Sequence, residues 1–429
     1  MHFELLISTR KGLVIGRSKD RDAWSFGEPM FSGWQVDYAV RDSRNNRIWA
    51  AVSHMQWGPH LHFSDDDGAS WSEAPAPEFQ GESYSVSEYD VANDEWLPAE
   101  TVEGSLARIW TIEPGPVDRP EVLYAGIDPA ALFVSEDNGL SWSLNRSLWE
   151  HRTRGAWVPG AAGLVMHHIQ VDPRNSSHLY VGVSAAGVFK TTDGGSTWEA
   201  RNAGCVAEHL PNPEPEAGQC VHSLHLHPAD TSRLFQQHHP GVYRSDDGGA
   251  HWIDIAAGLP GEFGFASTID PHDADTFFVI PLQFDQARIP EGGRLRVYRT
   301  RDAGASWEGL SAGLPQDHVL QGVYRQALCQ DGAGEDVGLG VYLGTSGGHV
   351  YASRDGGDQW SQLLEHLAPV TALRASVLAE QFEFGSPRGR STRFRPGPQP
   401  SLLAALDERS AAVRVALTAC STPSRIRRE

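Results

Sequence analysis

Short apolar runs separated by turn residues recur along the chain at intervals of about 50 residues. Residues 165–200 contain VMHHIQVDP, HLYVGVS, GVFKTTD and STWEA, and residues 221–255 and 324–364 repeat the same order of runs. Each run is rich in β-branched or aromatic residues and is bounded by Gly, Pro, Asn or Asp, which is typical of strands. Four strands per repeat, without helical periodicity, predict the blade of a β-propeller, with strands A to D ordered from the axis outward.

An octet of the form Ser/Thr-x-Asp-x-Gly-x-x-Trp occurs in six of these repeats, and a shorter copy, SKDRDAW, occupies residues 18–24. The hydroxyl and the carboxylate can accept backbone N–H bonds in a tight turn between strands C and D, and the glycine can adopt a positive φ. The tryptophan then begins strand D and packs between blades. No histidine or other base lies at a fixed offset, so we interpret the octets as structural. Their principal residues are Asp66, Gly68, Trp71, Asp137, Gly139, Trp142, Asp193, Gly195, Trp198, Asp247, Gly249, Trp252, Asp302, Gly304, Trp307, Asp355, Gly357 and Trp360.

The beginning and the end of the repeat array complement each other. Residues 2–26 supply strands B, C and D of a first blade, and VTALRASVL at 370–378 supplies a spare strand. We expect this strand to pair with LLIST at 5–9, because closing the ring removes free sheet edges. The sequence therefore predicts an all-β domain over residues 1–378, a seven-bladed β-propeller with four-stranded antiparallel blades. Residues 379–429, rich in Pro, Gly, Ser and Arg, are expected to form a disordered basic tail.

The octets resemble the Asp-boxes, or BNR repeats, of bacterial neuraminidases, sortilin-type receptors, xyloglucan-cleaving glycosidases and photosystem II assembly factors. The resemblance covers residues 1–378 and implies a propeller, but it implies no single function, because such propellers include enzymes and binding modules. It also implies that the octets lie away from the binding face. A sialidase would carry an F/Y-R-I-P motif before its first Asp-box, and no such tetrapeptide precedes Asp20 or Asp66. ARIP occurs only at 287–290, inside a later loop, so sialidase activity is disfavoured.

Composition narrows the classes of function. The net charge of −20 disfavours nucleic-acid binding, because an acidic chain repels phosphates. No stretch approaches the ~18 apolar residues of a membrane span, and the first residues lack the features of a signal peptide. The four cysteines are too scattered for a disulfide framework, and only Cys205 and Cys220 could meet across one loop. We therefore expect a cytoplasmic protein with free thiols, and a monomer.

Loop lengths indicate which end of the ring carries function. If the tight C–D turns define the bottom, the B–C and D–A loops lie at the top, where the long segments 72–105, 146–164, 203–219 and 283–294 all fall. Residues 72–104 hold nine carboxylates and no basic residue, which is typical of a solvated loop or of a lid over the channel. The top is therefore the predicted working face.

Histidines and aromatic residues are concentrated at this predicted mouth of the channel. Imidazoles there could bind a divalent metal, transfer protons or contact a ligand, or they could simply form a hydrogen-bonded polar rim. The candidate ligand-binding residues are His54, Trp57, His60, Trp157, His167, His168, His222, His238, His239 and Arg288. The candidate metal ligands among them are His167, His222 and His239.

Two functions stay open from the sequence. The first is non-catalytic binding of a glycan, a small molecule or a protein at the top face. The second is glycoside hydrolase or lyase chemistry, with or without a metal, that uses top-face histidines or carboxylates. Hydrolysis would need two carboxyl groups about 5–9.5 Å apart. The candidate carboxylates are Asp37, Glu103, Asp285 and Glu291.

Overall fold

The computed structural model describes residues 1–86, 89–90, 95–96, 99–160, 162–207, 212–284, 286–334 and 337–378, with only the backbone of 89, 90, 95 and 96. Within these residues the strands form seven four-stranded antiparallel sheets, each ordered from the channel outward. The predicted all-β, seven-bladed propeller is thus confirmed. The predicted tail, residues 379–429, lies outside the described residues.

Consecutive strands build each blade, and each blade ends in a short outer strand. Blade one contributes β1 (His2–Thr9), β2 (Gly12–Ser18) and β3 (Trp24–Phe26). Blade two contains β4 (Gln35–Arg41), β5 (Ile48–His54), β6 (Gly58–Ser64) and β7 (Ser72–Ala74). Two small strand pairs follow, formed from β8 (Ser83–Val86) with β11 (Glu100–Glu103) and from β9 (Tyr89–Asp90) with β10 (Glu95–Trp96).

The next three blades repeat this arrangement. Blade three contains β12 (Arg108–Pro114), β13 (Leu123–Asp128), β14 (Leu132–Ser135) and β15 (Ser143–Leu144). Blade four contains β16 (Val165–Val171), β17 (Leu179–Ser184), β18 (Gly187–Thr191) and β19 (Glu199–Ala200). Blade five contains β20 (Val221–Leu226), β21 (Leu234–His238), β22 (Val242–Ser245) and β23 (Ile253–Asp254).

The last two blades complete the array. Blade six contains β24 (Gly264–Asp270), β25 (Asp273–Pro281), β26 (Val297–Thr300) and β27 (Glu308–Leu310). Blade seven contains β28 (Leu328–Gln330), β29 (Val341–Gly344), β30 (Val350–Ser353) and β31 (Ser361–Leu364). The described helical elements include α1 (Arg146–Trp149) and the 3-10 turns Arg154–Ala156 and Glu291–Gly293, and no described helix is long and apolar enough to cross a membrane.

The ring is closed by β32 (Val370–Leu378), which pairs antiparallel with β1 as the innermost strand of blade one. This is the predicted pairing of the spare strand. Leu373 is 1% exposed and packs in the same apolar cluster as Leu5 and Ile7. Its backbone N–H donates to the carbonyl of Gln326, 2.8 Å away, in the segment that leads into blade seven. Blades one and seven are therefore joined by both apolar packing and backbone hydrogen bonds.

The octets form the C–D turns of blades two to seven. In blade two, Ser64 Oγ donates to Asp66 Oδ1 and accepts the N–H of Gly68, both at 2.8 Å, and the same contacts recur in the other five octets. Gly68 has a φ of 87°, which an L-residue adopts only with strain. Several octet tryptophans donate Nε1–H to a backbone carbonyl of the preceding blade, as Trp252 does to Arg201 at 2.7 Å. Each octet thus closes a turn and contacts the neighbouring blade.

Acid is expected to weaken these turns. The hydroxyl of Thr197, together with nearby N–H groups, lowers the pKa of Asp193 to about 2. A carboxyl whose pKa is lower in the folded state stabilises the protein above its unfolded pKa, and this stabilisation is lost as the pH falls through the folded pKa. We therefore expect wild type to be more stable than Asp193→Asn at pH 7, and the difference to disappear between about pH 4 and pH 2. Thermal melts across this range test the prediction, and a difference that stays constant to pH 2 would contradict it.

Candidate functional site

The innermost strands carry β-bulges near their upper ends, which follow the D–A loops. A bulge leaves one residue outside the ladder and changes the direction of its side chain. We define the bulge ring as Asp37, Trp110, His167, His222, Phe265 and Thr371, which the ladder skips; in blade six it skips Ala266 as well. Three of these side chains donate to a backbone carbonyl of the next blade: Thr371 to Val36 at 2.6 Å, His167 to Val221 at 3.0 Å and His222 to Gly264 at 2.6 Å.

These bonds fix the hydrogens on two imidazoles. Because a carbonyl oxygen can only accept, His167 carries its hydrogen on Nε2 and His222 carries it on Nδ1. His167 Nδ1 therefore accepts from His168 Nδ1, 2.6 Å away. Burial lowers the pKa of all three histidines well below the ordinary value, so they are neutral at physiological pH.

A central cavity of about 480 Å³ lies below the bulge ring. Its volume is within the usual range of small-molecule sites, about 300–1,000 Å³. Its lining extends to the A–B turns at the bottom, where it includes Pro114, Pro173, Pro228, Pro271 and Gly332. At the upper end, Gln326 Nε2 donates to the carbonyls of Trp110 at 3.2 Å and His167 at 2.9 Å, which belong to blades three and four. Gln326 thus spans the channel, and the cavity lies deeper than the predicted mouth.

Three arginines line this cavity, and they differ in their partners. Arg41 pairs with the buried carboxylate of Glu4 at 2.6 Å. Arg374 Nη2 lies 3.1 Å from Glu113 Oε2, and Glu113 Oε1 accepts from the hydroxyl of Tyr38 at 2.5 Å. Arg325 donates from Nη2 to Ser184 Oγ at 3.2 Å, and its guanidinium lies 4.9 Å from the centre of the Phe265 ring.

Arg325 has fewer opposite charges near it than Arg374, which pairs with Glu113. Its Nε is buried without a hydrogen-bond partner, and no described carboxylate lies close enough to balance it. Burial lowers the pKa of Arg325 to about 10, so the side chain stays charged at neutral pH. The upper end of the cavity therefore carries an uncompensated positive charge.

The lining also contains Asp331, which pairs with Arg21 at 2.8 Å, and several neutral polar side chains. His168 and His225 lie with their ring centres 5.8 Å apart, and His225 Nε2 contacts Ser267 Oγ at 3.0 Å. Burial lowers the pKa of His225 to about 4. These groups can donate or accept hydrogen bonds but do not add positive charge at neutral pH. Sequence reasoning placed His168 at the mouth and did not identify Arg325, Gln326, His225 or Arg374.

A second group of polar side chains lies at the upper end of blade five. Cys220, His222 and His239 each offer one metal-ligating atom, and the three atoms lie within 4.8 Å of one another. Of the three predicted metal ligands, the structure brings together His222 and His239. The third potential ligand is Cys220 and not His167, because both nitrogens of His167 are hydrogen-bonded, to Val221 and to His168. The Cys-x-His sequence at 220–222 was the local signal for this group.

The predicted residues of blade two form a separate group. His54 and Trp57 stack with ring centres 4.0 Å apart, and Trp34 lies 5.6 Å from Trp57. His60 Nδ1 contacts Glu73 at 2.7 Å. Trp57 is 41% exposed, so this B–C loop presents an aromatic surface to solvent.

Three other candidates have different surroundings. Trp157 is only 1% exposed and packs on Phe189 between blades three and four, so it does not lie at the channel mouth as expected. Its apolar ring is buried because the 146–164 segment folds back onto the blades through α1 and a 3-10 turn. His238 is buried, with Nδ1 3.2 Å from the carbonyl of Pro240. Arg288 lies 5.4 Å from the Phe265 ring centre, close to Arg325.

The predicted carboxylates do not gather in the cavity. Asp37 is buried at the top of β4, 3.3 Å from Arg108 Nε, whereas Glu103 and Glu291 are exposed. Asp285 lies outside the described residues. Sequence reasoning did not single out Asp128. Burial raises the pKa of Asp128 to about 6, and the nearby positive charge of Arg108 opposes this rise.

The acidic segment 72–104 is anchored to blade three in its described part. Glu82 contacts Arg146 of α1 at 2.6 Å, and Tyr84 of β8 packs on Trp149 with ring centres 5.5 Å apart. Glu88 and Asp94 lie outside the described residues, as do the side chains of Asp90 and Glu95. The hairpin of β8 and β11 therefore packs beside blade three; its predicted role as a lid stays a prediction.

No protein-family model matches the chain. The chain is 25% identical over 222 residues to an oligoxyloglucan-reducing end-specific xyloglucanase from Emericella nidulans, a match that covers 45% of this chain and 26% of the relative. It therefore spans about a quarter of that curated relative.

Solved structures with a similar fold include an ancestral GH74 enzyme, with 16% identity, a TM-score of 0.48 and coverage of 77% of this chain and 39% of that chain. YCF48 bound to D1 peptide has 14% identity, a TM-score of 0.45 and coverage of 77% and 84%. Similarity at this level concerns the propeller fold alone, so the function has to be inferred from the site.

Proposed function

We propose that the protein binds a small anionic molecule, of the carboxylate or phosphate class, in its central cavity. The observation that carries the proposal is Arg325, a charged side chain that faces the interior without a described carboxylate partner. Desolvating such a charge costs several kcal/mol. A fold tolerates this cost most often at a functional site, where a ligand supplies the missing partner.

The surroundings of Arg325 suit such a ligand. A guanidinium can donate two parallel hydrogen bonds to a carboxylate or phosphate, and Nε is among its donors. His168 and Ser267 add neutral polar groups along the wall, while Arg374 adds positive charge that Glu113 partly balances. The cavity is therefore built for a compact polar anion rather than for an apolar molecule.

We therefore propose the central cavity as the binding site, in place of the mouth at the top of the channel. The resemblance to Asp-box propellers is compatible with this proposal, since those propellers include binding modules. We also propose a cytoplasmic location. The described cysteines, Cys205, Cys220 and Cys329, are buried free thiols, which suits a reducing compartment.

Titration of the full chain tests the binding proposal. With citrate or inorganic phosphate as probe, we expect saturable heat in calorimetry and a rise in melting temperature. A ligand at 100 times its Kd stabilises the native state by about 2.7 kcal/mol. Xyloglucan oligosaccharides, which are neutral, should produce neither effect. No response to any anion in a metabolite panel would overturn the proposal.

A hydrolase is the second candidate, and Asp128 is the observation that favours it. A buried carboxyl with a pKa of about 6 can act as a general acid near neutral pH, and the xyloglucanase match points to a glycan substrate. An activity assay on the same oligosaccharides separates the two functions. Release of reducing ends from xyloglucan oligosaccharides, abolished in Asp128→Asn, would favour hydrolysis over anion binding.

A further inference from the structure

Cys220, His222 and His239 converge on one point at the upper end of blade five. The distance from Cys220 Sγ to His222 Nε2 is 3.5 Å. Around a tetrahedral zinc ion, bonds of about 2.3 Å to sulfur and 2.0–2.1 Å to nitrogen place these two atoms about 3.6 Å apart. The pair therefore already has the separation that a shared metal would require.

The hydrogen-bonding of His222 also favours a metal. Nδ1–H donates to the carbonyl of Gly264 at 2.6 Å, which leaves the lone pair of Nε2 directed toward the sulfur. Metal-binding histidines characteristically use their second nitrogen in this way, because the outer hydrogen bond fixes both the tautomer and the ring orientation.

The three residues are held by the fold rather than by each other alone. Cys220 and His222 are buried at the start of β20, and the backbone N–H of His239 donates to the carbonyl of Cys220 at 2.9 Å. Phe263 lies with its ring centre 5.6 Å from that of His222 and 5.2 Å from that of His239. Two loops of one blade and an apolar shell thus position the ligand atoms.

We infer that Cys220, His222 and His239 bind a thiophilic transition metal of the Zn²⁺ type, with one coordination position left open. A thiolate and two imidazoles select such ions over Mg²⁺ or Ca²⁺, which prefer oxygen ligands. Three protein ligands with a fourth position for water or a ligand are typical of zinc sites that act on a bound molecule. Binding transfers the thiol proton of Cys220 to solvent as the metal–sulfur bond forms.

The inference goes beyond anion binding, since it concerns a different set of residues, which adjoins Arg325 through Ser184. The competing explanation is a simple hydrogen bond in which the Cys220 thiol donates to His222 Nε2. Only the metal site predicts that Cys220 and His239 contribute together to the affinity for a cation.

The experiment uses Co²⁺ as a spectroscopic probe on the full chain after treatment with a chelator. We expect one equivalent to bind, with a thiolate-to-cobalt charge-transfer band that Zn²⁺ removes by displacement. Cys220→Ser and His239→Gln should each weaken binding by more than the ~10–100-fold that loss of an outer partner causes. Cys329→Ser, which removes another buried free thiol in blade seven, is the matched control and should bind as wild type does.

The outcomes separate clearly. His239 is only partly buried on a loop, so His239→Gln keeps the test valid should Cys220→Ser unfold. The inference is overturned by the absence of a charge-transfer band in wild type or by a band that survives Cys220→Ser. It is also overturned if the band is lost instead on substitution of Cys420, the fourth cysteine, which lies outside the described residues. Citrate binding measured on Cys220→Ser distinguishes failure of this site from failure of the cavity proposal.

Discussion

Replacing Arg325 by glutamine is expected to weaken binding of small anions strongly without destabilising the free protein. The guanidinium is the uncompensated charge at the upper end of the cavity, so glutamine removes the main attraction for an anion. Loss of one partner of a buried, hydrogen-bonded charge pair costs about 2–5 kcal/mol, which corresponds to a Kd raised at least about 30-fold. Calorimetric titration with citrate or phosphate measures this change.

The stability of the variant gives the prediction its second part. Arg325 donates a hydrogen bond from Nη2 to Ser184 Oγ, and its Nε has no hydrogen-bond partner among the described residues. Removing a desolvated charge that lacks a carboxylate partner recovers solvation energy, so the melting temperature of Arg325→Gln without ligand should equal or exceed that of wild type. A residue kept for packing would show the opposite result.

A matched control tests whether charge alone matters. Arg152→Gln removes the same charge from an exposed side chain that pairs with Glu216 at the surface, and it should leave anion affinity unchanged. Two results would contradict the proposal: anion affinity in Arg325→Gln equal to that of wild type, or the same loss of affinity in both variants.

Leu373→Ala is expected to cost about 3–5 kcal/mol of unfolding free energy, because truncating a buried leucine leaves a cavity as well as losing transfer energy. Leu373 is 1% exposed in the strand that closes the ring, and it packs with Leu5 and Ile7 of β1. Urea unfolding monitored by tryptophan fluorescence measures the loss.

Val377→Ala on the same strand is the control. Val377 is 36% exposed, so its truncation should change stability by no more than about 0.5 kcal/mol. Equal effects of the two substitutions would show that β32 stabilises the fold through its backbone pairing with β1 and not through packing of the Leu373 side chain. A small effect of Leu373→Ala would mean that closure of the ring contributes little to stability.

The fold could be predicted from the sequence because its signals are local and repeated. Each octet contains its own turn chemistry: the hydroxyl and carboxylate of Ser64 and Asp66 bind backbone N–H groups only a few residues away. A strand pattern that repeats about every 50 residues then needs only short connections to make a blade. The closing strand was predictable for a related reason. Blade one lacks an inner strand and the strand at 370–378 has no blade of its own, so their pairing removes free sheet edges.

The candidate site was predicted only in part. His222 and His239 could be placed at one end of blade five from strand order, and the structure confirms their proximity. Cys220 was missed as a ligand, although its Cys-x-His spacing to His222 is a local signal. Arg325 could not be ranked above other arginines, because nothing in the local sequence distinguishes it. Trp157 was placed at the mouth because its loop is long, but the loop folds back and buries it.

The sequence by itself determined the number of blades, the turns that carry the octets, and the strand that closes the ring. Tertiary structure alone decided which side chains face the channel, because a bulge of one residue at His167 or His222 changes the direction of a side chain on a strand whose period is two. It also decided that Gln326 of the segment before blade seven reaches blades three and four. Contacts across the ring depend on its closed diameter, and no run of neighbouring residues encodes that distance.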